Sequence, residues 1–184
     1  QNDTTFPMCG IVGIADPLNN FHEKKKLIKE LNDSLFHRGP DDSGFYNDNF
    51  LSLGFRRLSI IDLENGNQPI IKQNIVTIFN GEIYNFIQLR KELIELGAEF
   101  YSKSDSEVVA NAFLFWGIDC LKKFDGMFAI CFYDQNKKEI FLARDRMGIK
   151  PLHYTVINNT LFFSSEILTL TKIPGFQKKI NLNA

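Results

Sequence analysis

Met8-Cys9-Gly10-Ile11-Val12-Gly13-Ile14 decides how the rest of the chain is read. A cysteine opens a run of β-branched apolar residues, with two glycines placed where a bulkier side chain would crowd the sulfur. The thiolate is the nucleophilic form and a free cysteine has a pKa of ~8.5, so a reactive thiol needs a base. No histidine stands at a recognisable pairing distance from Cys9 in the sequence. If Met8 and everything before it are removed, Cys9 becomes the first residue. Its own α-amine, with a pKa of about 7.7–8.0, then reaches its own sulfur, the terminal-amine form of an activated nucleophile. The same stretch also fits an ordinary buried first strand with a core cysteine.

Downstream of this strand, Ile11 to Ala15, Asp16-Pro17 ends the run. An amphipathic helix is expected from Phe21 to Leu35. Leu27, Ile28, Leu31 and Leu35 form its apolar stripe, Lys24, Lys25 and Lys29 face water, and Asn19 or Asn20 serves as its cap. His37-Arg38-Gly39-Pro40-Asp41-Asp42 breaks that helix. Leu51, Leu53 and Phe55 alternate as a strand, and Ile75 to Phe79 is a second one running into Asn80-Gly81-Glu82, a turn by composition. Tyr84 to Leu96 reads as a helix stopped by Gly97. Ser104-Asp105-Ser106-Glu107 has capping-box spacing ahead of another helix carrying Val108, Ala112 and Trp116 on one face. Strands follow at Met127 to Tyr133, Glu139 to Arg144, His153 to Ile157 and Leu161 to Ser165. Hairpins this frequent do not suit a doubly wound sheet. They suggest an α+β fold of two antiparallel sheets with helices packed outside.

The bulk properties narrow the function. The chain of 184 residues fits one sizeable domain, and a net charge of −1 argues against nucleic acid or a membrane surface as partner. Its 18 phenylalanines are scattered through periodic segments, which is the pattern of core filling. The three cysteines, Cys9, Cys120 and Cys131, form neither a disulfide framework nor a zinc pattern, which favours a reducing, cytoplasmic setting. Cys120 and Cys131 are expected in the core. His22 and His153 have no partners at ligand spacing, so no metal is expected.

A thiolate attacking an amide needs donors aimed at the developing oxyanion and a clamp for the rest of the substrate. Asn80 offers a carboxamide NH2 and Gly81 an unobscured backbone N–H, although a plain Asn-Gly turn has the same sequence. Arg57, at a strand end, has the guanidinium for a bidentate grip on a carboxylate, or for a surface ion pair. Asp105 could accept an ammonium, and acidic residues are also favoured at helix starts for their charge alone.

Six segments occur in a telling order. They are Cys9-Gly10-Ile11-Val12-Gly13, His37 to Asp41, Arg57-Leu58-Ser59-Ile60-Ile61-Asp62, Asn80-Gly81-Glu82-Ile83-Tyr84-Asn85, Ser104-Asp105, and Arg144-Asp145 through Gly148 to Pro151-Leu152. Together they resemble the class II glutamine amidotransferase domain of glutamine-hydrolysing asparagine synthetases, from Cys9 to the C-terminus. The resemblance implies an N-terminal-nucleophile (Ntn) hydrolase fold, a four-layer αββα sandwich. It implies Cys9 as nucleophile, its freed amine as base, and Asn80 and Gly81 as the oxyanion hole. It also implies that Arg57 binds the α-carboxylate of glutamine, that Glu82 and Asp105 hold its α-ammonium, and that the backbone of Leu58, Ser59, Ile60 and Ile61 lines the pocket. Two positions depart from the pattern: Phe55 stands where many relatives carry histidine, and His153 where tyrosine is usual.

The expected reaction is hydrolysis of L-glutamine to glutamate and ammonia through a γ-glutamyl thioester. Residues 1–8 are read as a leader, tag or pro-segment and residues 9–184 as the glutaminase domain. No Ser-Gly-Gly-x-Asp-Ser pyrophosphate loop occurs, so the resemblance places Mg-ATP and asparagine formation in a C-terminal synthetase domain outside this chain. No cofactor is expected in the glutaminase domain itself. L-glutamine and that synthetase domain are the implied partners, and a homodimer is admitted. Two other readings stand beside this one: an amidotransferase half with another acceptor, such as a sugar or modified amino acid, and a non-catalytic docking module of the same fold.

Overall fold

The computed structural model describes residues 8–19, 21–58 and 67–179. Nine strands and four α-helices follow one another as β1 (Gly10–Ala15), α1 (Lys24–Asp33), β2 (Asp42–Asn47), β3 (Leu51–Arg57), β4 (Ile70–Lys72), β5 (Ile75–Ile83), α2 (Phe86–Glu95), α3 (Asp105–Trp116), β6 (Gly126–Asp134), β7 (Glu139–Arg144), β8 (His153–Ile157), β9 (Thr160–Ser164) and α4 (Ile167–Leu170), among the described residues. A 3-10 segment, Gly117–Lys122, extends α3.

Strand alternation sorts the apolar side chains into layers. The first sheet has the order β2-β3-β1-β9-β8 and the second β4-β5-β6-β7, and every pairing is antiparallel. Ile11, Leu53 and Phe55 of the first sheet meet Val76, Ile78 and Cys131 of the second in a core between the sheets. Their alternates Val12 and Ile14 turn the other way and pack with Leu27, Ile28, Leu31 and Leu35 of α1 and its C-terminal flank. On the second sheet Phe79, Ile83 and Phe132 face Leu89, Leu93, Val109 and Phe113 of α2 and α3. The result is helix, sheet, sheet, helix, the αββα sandwich expected of the sequence. No helix among the described residues is long and apolar enough to cross a membrane.

Several local expectations hold. Ser104 caps α3, its hydroxyl accepting from Glu107 N. Gly97 takes a φ of 95° after α2, with Ala98 N donating to Leu93 O. Asn158 and Asn159 both adopt positive φ in the β8–β9 turn. Cys120 and Cys131 are fully buried, and burial pushes the Cys120 thiol up to about 12 and Cys131 higher still.

Others are corrected. Helix α1 starts at Lys24, and its cap position, Glu23, makes no side-chain cap bond. Asn19 therefore is not the cap, and Asn20 lies outside the described residues. Lys24 does not face water: it is buried, with Nζ donating to Asn49 O at 2.6 Å. Nor do the glycines of β1 simply clear space around the sulfur. A Cβ at Gly13 would fall inside the Phe163 ring, and one at Gly10 would press on Leu35.

Candidate active site

The largest correction concerns Asn80-Gly81. The pair is not a turn: β5 runs straight through it, with Asn80 opposite Ala129 and Gly81 opposite Phe128 of β6. Pairing with β6 on one side overrides the local turn preference. Gly81 is required there, because a Cβ would lie 2.2 Å from Met127 O.

The strand's alternation then aims two donors. Asn80 shares a face with Val76 and Ile78, which point at the first sheet. Its carboxamide is therefore directed between the sheets, 2% exposed, and its Nδ2 has no hydrogen-bond partner among the described residues. The N–H of Gly81 lies in the plane of the sheet. Phe128 uses both its own backbone groups toward the β7 side: its O accepts from Asp145 N and its N donates to Asp145 Oδ2. Gly81 and Phe128 are thus a non-hydrogen-bonded pair, and the Gly81 N–H points away from β6. On that outer edge β4 covers Ile75 and Thr77, and the Gln68 side chain bonds both N and O of Phe79 at 2.6 and 2.9 Å. Asp105 Oδ2 accepts from Ile83 N at 3.1 Å. Gly81 falls between them.

That edge borders a cavity of about 260 Å³ lined by Cys9, Arg57, Leu58, Asn80, Gly81, Glu82 and Asp105, all anticipated as site residues. Cys9 precedes β1 at the end of the first sheet where β3 finishes with Arg57, because Gly10 pairs with Arg56. Leu58 N donates to Cys9 Sγ at 3.4 Å, and Arg38 Nε holds Cys9 O at 3.1 Å. Burial pushes the Cys9 thiol up, against the Leu58 backbone bond and the charges of Lys150, Arg57 and Arg38. Arg57 is 7% exposed and borders the cavity, with Nη1 3.5 Å from Asn67 Oδ1. Gly39 lets the preceding loop lie against this strand end, since a Cβ there would meet the Arg57 backbone N at 2.7 Å. Asp105 comes from the first turn of α3, and burial raises its carboxyl despite the Ile83 N–H. Glu82 is exposed at the rim. Ser59, Ile60 and Ile61 lie outside the described residues.

Gln68, Phe86, Lys103 and Lys150 are among the further lining residues, none of them anticipated as a site residue. Lys150 had a signal, for it lies within the segment from Arg144 through Gly148 to Leu152. Asp145 explains that segment: its carboxylate accepts from Ile149 N and Lys150 N as well as Phe128 N. Burial opposes its ionisation, but these backbone donors hold the carboxyl below the usual range.

The chain is similar to glutamine-hydrolysing asparagine synthetase 1 of Bacillus subtilis (strain 168), 44% identical over 163 residues covering 86% of this chain and 26% of the relative. It is also similar to asparagine synthetase 2 of Arabidopsis thaliana, 36% identical over 167 residues, 89% of this chain and 28% of the relative. It thus spans about a quarter of the length of these relatives. In fold it resembles the glutamine phosphoribosylpyrophosphate amidotransferase of B. subtilis, with a TM-score of 0.73 at 21% identity, covering 89% of this chain and 43% of that one. Residues 8–184 match the glutamine amidotransferase domain family, and the chain belongs to it.

Proposed function

We propose that this domain hydrolyses L-glutamine to glutamate and ammonia through a γ-glutamyl thioester on Cys9, and that the ammonia passes to an ATP-dependent synthetase domain converting aspartate to asparagine. One observation carries the hydrolytic step. A buried carboxamide nitrogen with no partner among the described residues, Asn80 Nδ2, sits beside a backbone N–H turned away from β6, both residues on the cavity that Cys9 lines. Buried donors are normally paired, so an unpaired one beside a backbone N–H on the same cavity suits a charge that appears only during reaction.

In this reading Cys9 Sγ attacks the side-chain carbonyl carbon of glutamine. Its proton passes to the Cys9 amine, and the new oxyanion is held by Asn80 Nδ2 and Gly81 N. Collapse expels ammonia with that proton, and water then attacks the thioester to release glutamate. Arg57 takes the α-carboxylate, while Asp105 and Glu82 take the α-ammonium. A substrate lacking the amino-acid head would forgo these contacts, which favours glutamine over simple amides. The domain would need no cofactor, and Mg-ATP would serve the synthetase domain. An asparagine-forming acceptor is supported by the likeness to asparagine synthetases over most of this chain, and the setting by analogy is cytoplasmic.

With Met8 attached, the Cys9 nitrogen is an amide and cannot act as base. Removing residues 1–8 is expected to switch on glutamate release, measured on the same preparation before and after cleavage. Equal rates would refute the terminal-amine mechanism.

A further inference from the structure

Lys150 is 7% exposed and borders the reaction cavity. Its Nζ lies 3.2 Å from Met8 Sδ, a thioether that accepts weakly and carries no countercharge. Among the described residues it forms no ion pair with a carboxylate. Buried ammonium groups are ordinarily paired, because an unpaired one is costly to desolvate. This one is also delivered deliberately: Asp145 grips the Lys150 backbone N at 3.0 Å, fixing the root of the side chain.

The charges around it come from several elements. Cys9 ahead of β1, Arg38 after α1, Glu82 of β5 and Asp145 after β7 act on Lys150, and Arg57 of β3 joins Arg38 and Lys150 in acting on Cys9. Lys103 lines the same cavity from the segment before α3, beside Asp105. Asp145 is occupied by backbone donors and Glu82 sits at the exposed rim, so neither neutralises the ammonium directly. Cys9 lines the same cavity, directly follows the Met8 that Lys150 Nζ touches, and is the first of the charges acting on Lys150.

We propose that Lys150 is a positioning residue for the nucleophile: with Met8 removed, its ammonium faces the Cys9 sulfur and α-nitrogen in place of a thioether, favouring the thiolate over the thiol and the free amine over the ammonium. This rests on the terminal-amine reading above. The effect lowers the pH at which the Cys9 pair becomes reactive, and it requires a cation rather than a particular shape.

The test uses protein processed to begin at Cys9. The rate of Cys9 alkylation by iodoacetamide, without glutamine, is followed from about pH 5 to about pH 10 for wild type, Lys150→Met, Lys150→Gln and Lys150→Arg. Mass analysis locates the adduct, since Cys120 and Cys131 are fully buried. Both neutral variants are expected to move the alkylation midpoint up by roughly one pH unit and to slow alkylation at neutral pH roughly tenfold. Lys150→Arg, which keeps the charge, is expected to retain the wild-type midpoint. Unchanged midpoints in the neutral variants overturn the proposal, and so does an equal shift in all three. Glutamate release by processed wild type, assayed in parallel, judges the underlying reading separately: an active wild type with no midpoint shift condemns the role of Lys150 alone.

Discussion

The two ends of the double sheet carry similar polar residues and bond them differently. At the end away from Cys9, Asp48 Oδ2 accepts from Tyr46 at 2.7 Å and, across the sheets, from Tyr133 at 2.9 Å. Its Oδ1 accepts from Phe50 N and Leu51 N, and Gln135 Nε2 donates to Tyr46 Oη. That cluster closes on itself and ties one sheet to the other. Among the described residues at the cavity end, Asn80 Nδ2 has no partner and Lys150 Nζ has only a thioether. A satisfied network adds stability, whereas a buried donor without a partner subtracts from it. One end holds the sandwich together; the other turns its polar groups toward the cavity that Cys9 lines.

This contrast breaks most sharply at the nucleophile. In processed protein Cys9→Ala is expected to lower glutamate release by at least ~10⁴-fold, while the melting temperature stays close to wild type. Residual turnover near the wild-type rate would remove Cys9 from the chemistry. Asn80→Ala is expected to cost ~10²–10³-fold in kcat with KM nearly unchanged, and to leave stability intact because Nδ2 bonds none of the described residues. A marked loss of stability instead would make Asn80 a structural residue like those of the far end.

Next come the groups assigned to the head of glutamine. Arg57→Lys and Asp105→Asn are each expected to raise KM by roughly 10–100-fold, one to two charge-assisted hydrogen bonds. Burial raises the Asp105 carboxyl, so it protonates sooner than an ordinary aspartate as pH falls. KM should therefore climb on the acid side, and Asp105→Asn should flatten that climb.

At the far end the effect shifts from rate to stability. Asp48→Ala is expected to cost about 3 kcal/mol for the lost bonds to a charged acceptor, with kcat/KM near wild type. Burial works against the Asp48 carboxylate, but Leu51 N–H, the two phenols and Phe50 N–H outweigh it and lower its pKa. Its contribution is thus present above the ordinary aspartate value of ~3.9 and lost as pH falls through the lower folded value. Tyr46 behaves oppositely: burial first, then Asp48, pushes it up to about 12. Its contribution is present below the ordinary tyrosine value of ~10 and lost as pH rises toward that folded value. Melting curves across pH read both limbs. The smallest effect is at Lys122, whose partner Asp119 is likewise exposed; Lys122→Ala is expected to change neither melting nor turnover measurably.

The layers of the sandwich were legible because β1, β5, β6 and the helices advertise themselves by period and by caps. Strands β2 and β4 were not. Strand β2 is framed by Asp41-Asp42 and Asn47-Asp48 and is largely exposed, so it exists through its pairing with β3 rather than through its own composition. Strand β4 is three residues long, too short for any pattern to register. Cys9, Arg57, Leu58, Asn80, Gly81, Glu82 and Asp105 were named from sequence and do line one cavity, though the Asn-Gly pair was assigned to a turn. Dipeptide chemistry spoke for a bend, and only the partner strand explains why the chain goes straight. Gln68 carried no signal because it belongs to no periodic element and is placed by its bonds to Phe79, and Lys150, though within a telling segment, is placed by the hold of Asp145 on its backbone.

Gln68 has a consequence of its own. By bonding both backbone groups of Phe79 with one side chain it imitates a neighbouring strand where β4 has already ended, and Asp105 seals the backbone again at Ile83. The interval between them is too short for another polypeptide to zip onto β5. The same two side chains therefore guard this sheet against unwanted self-association.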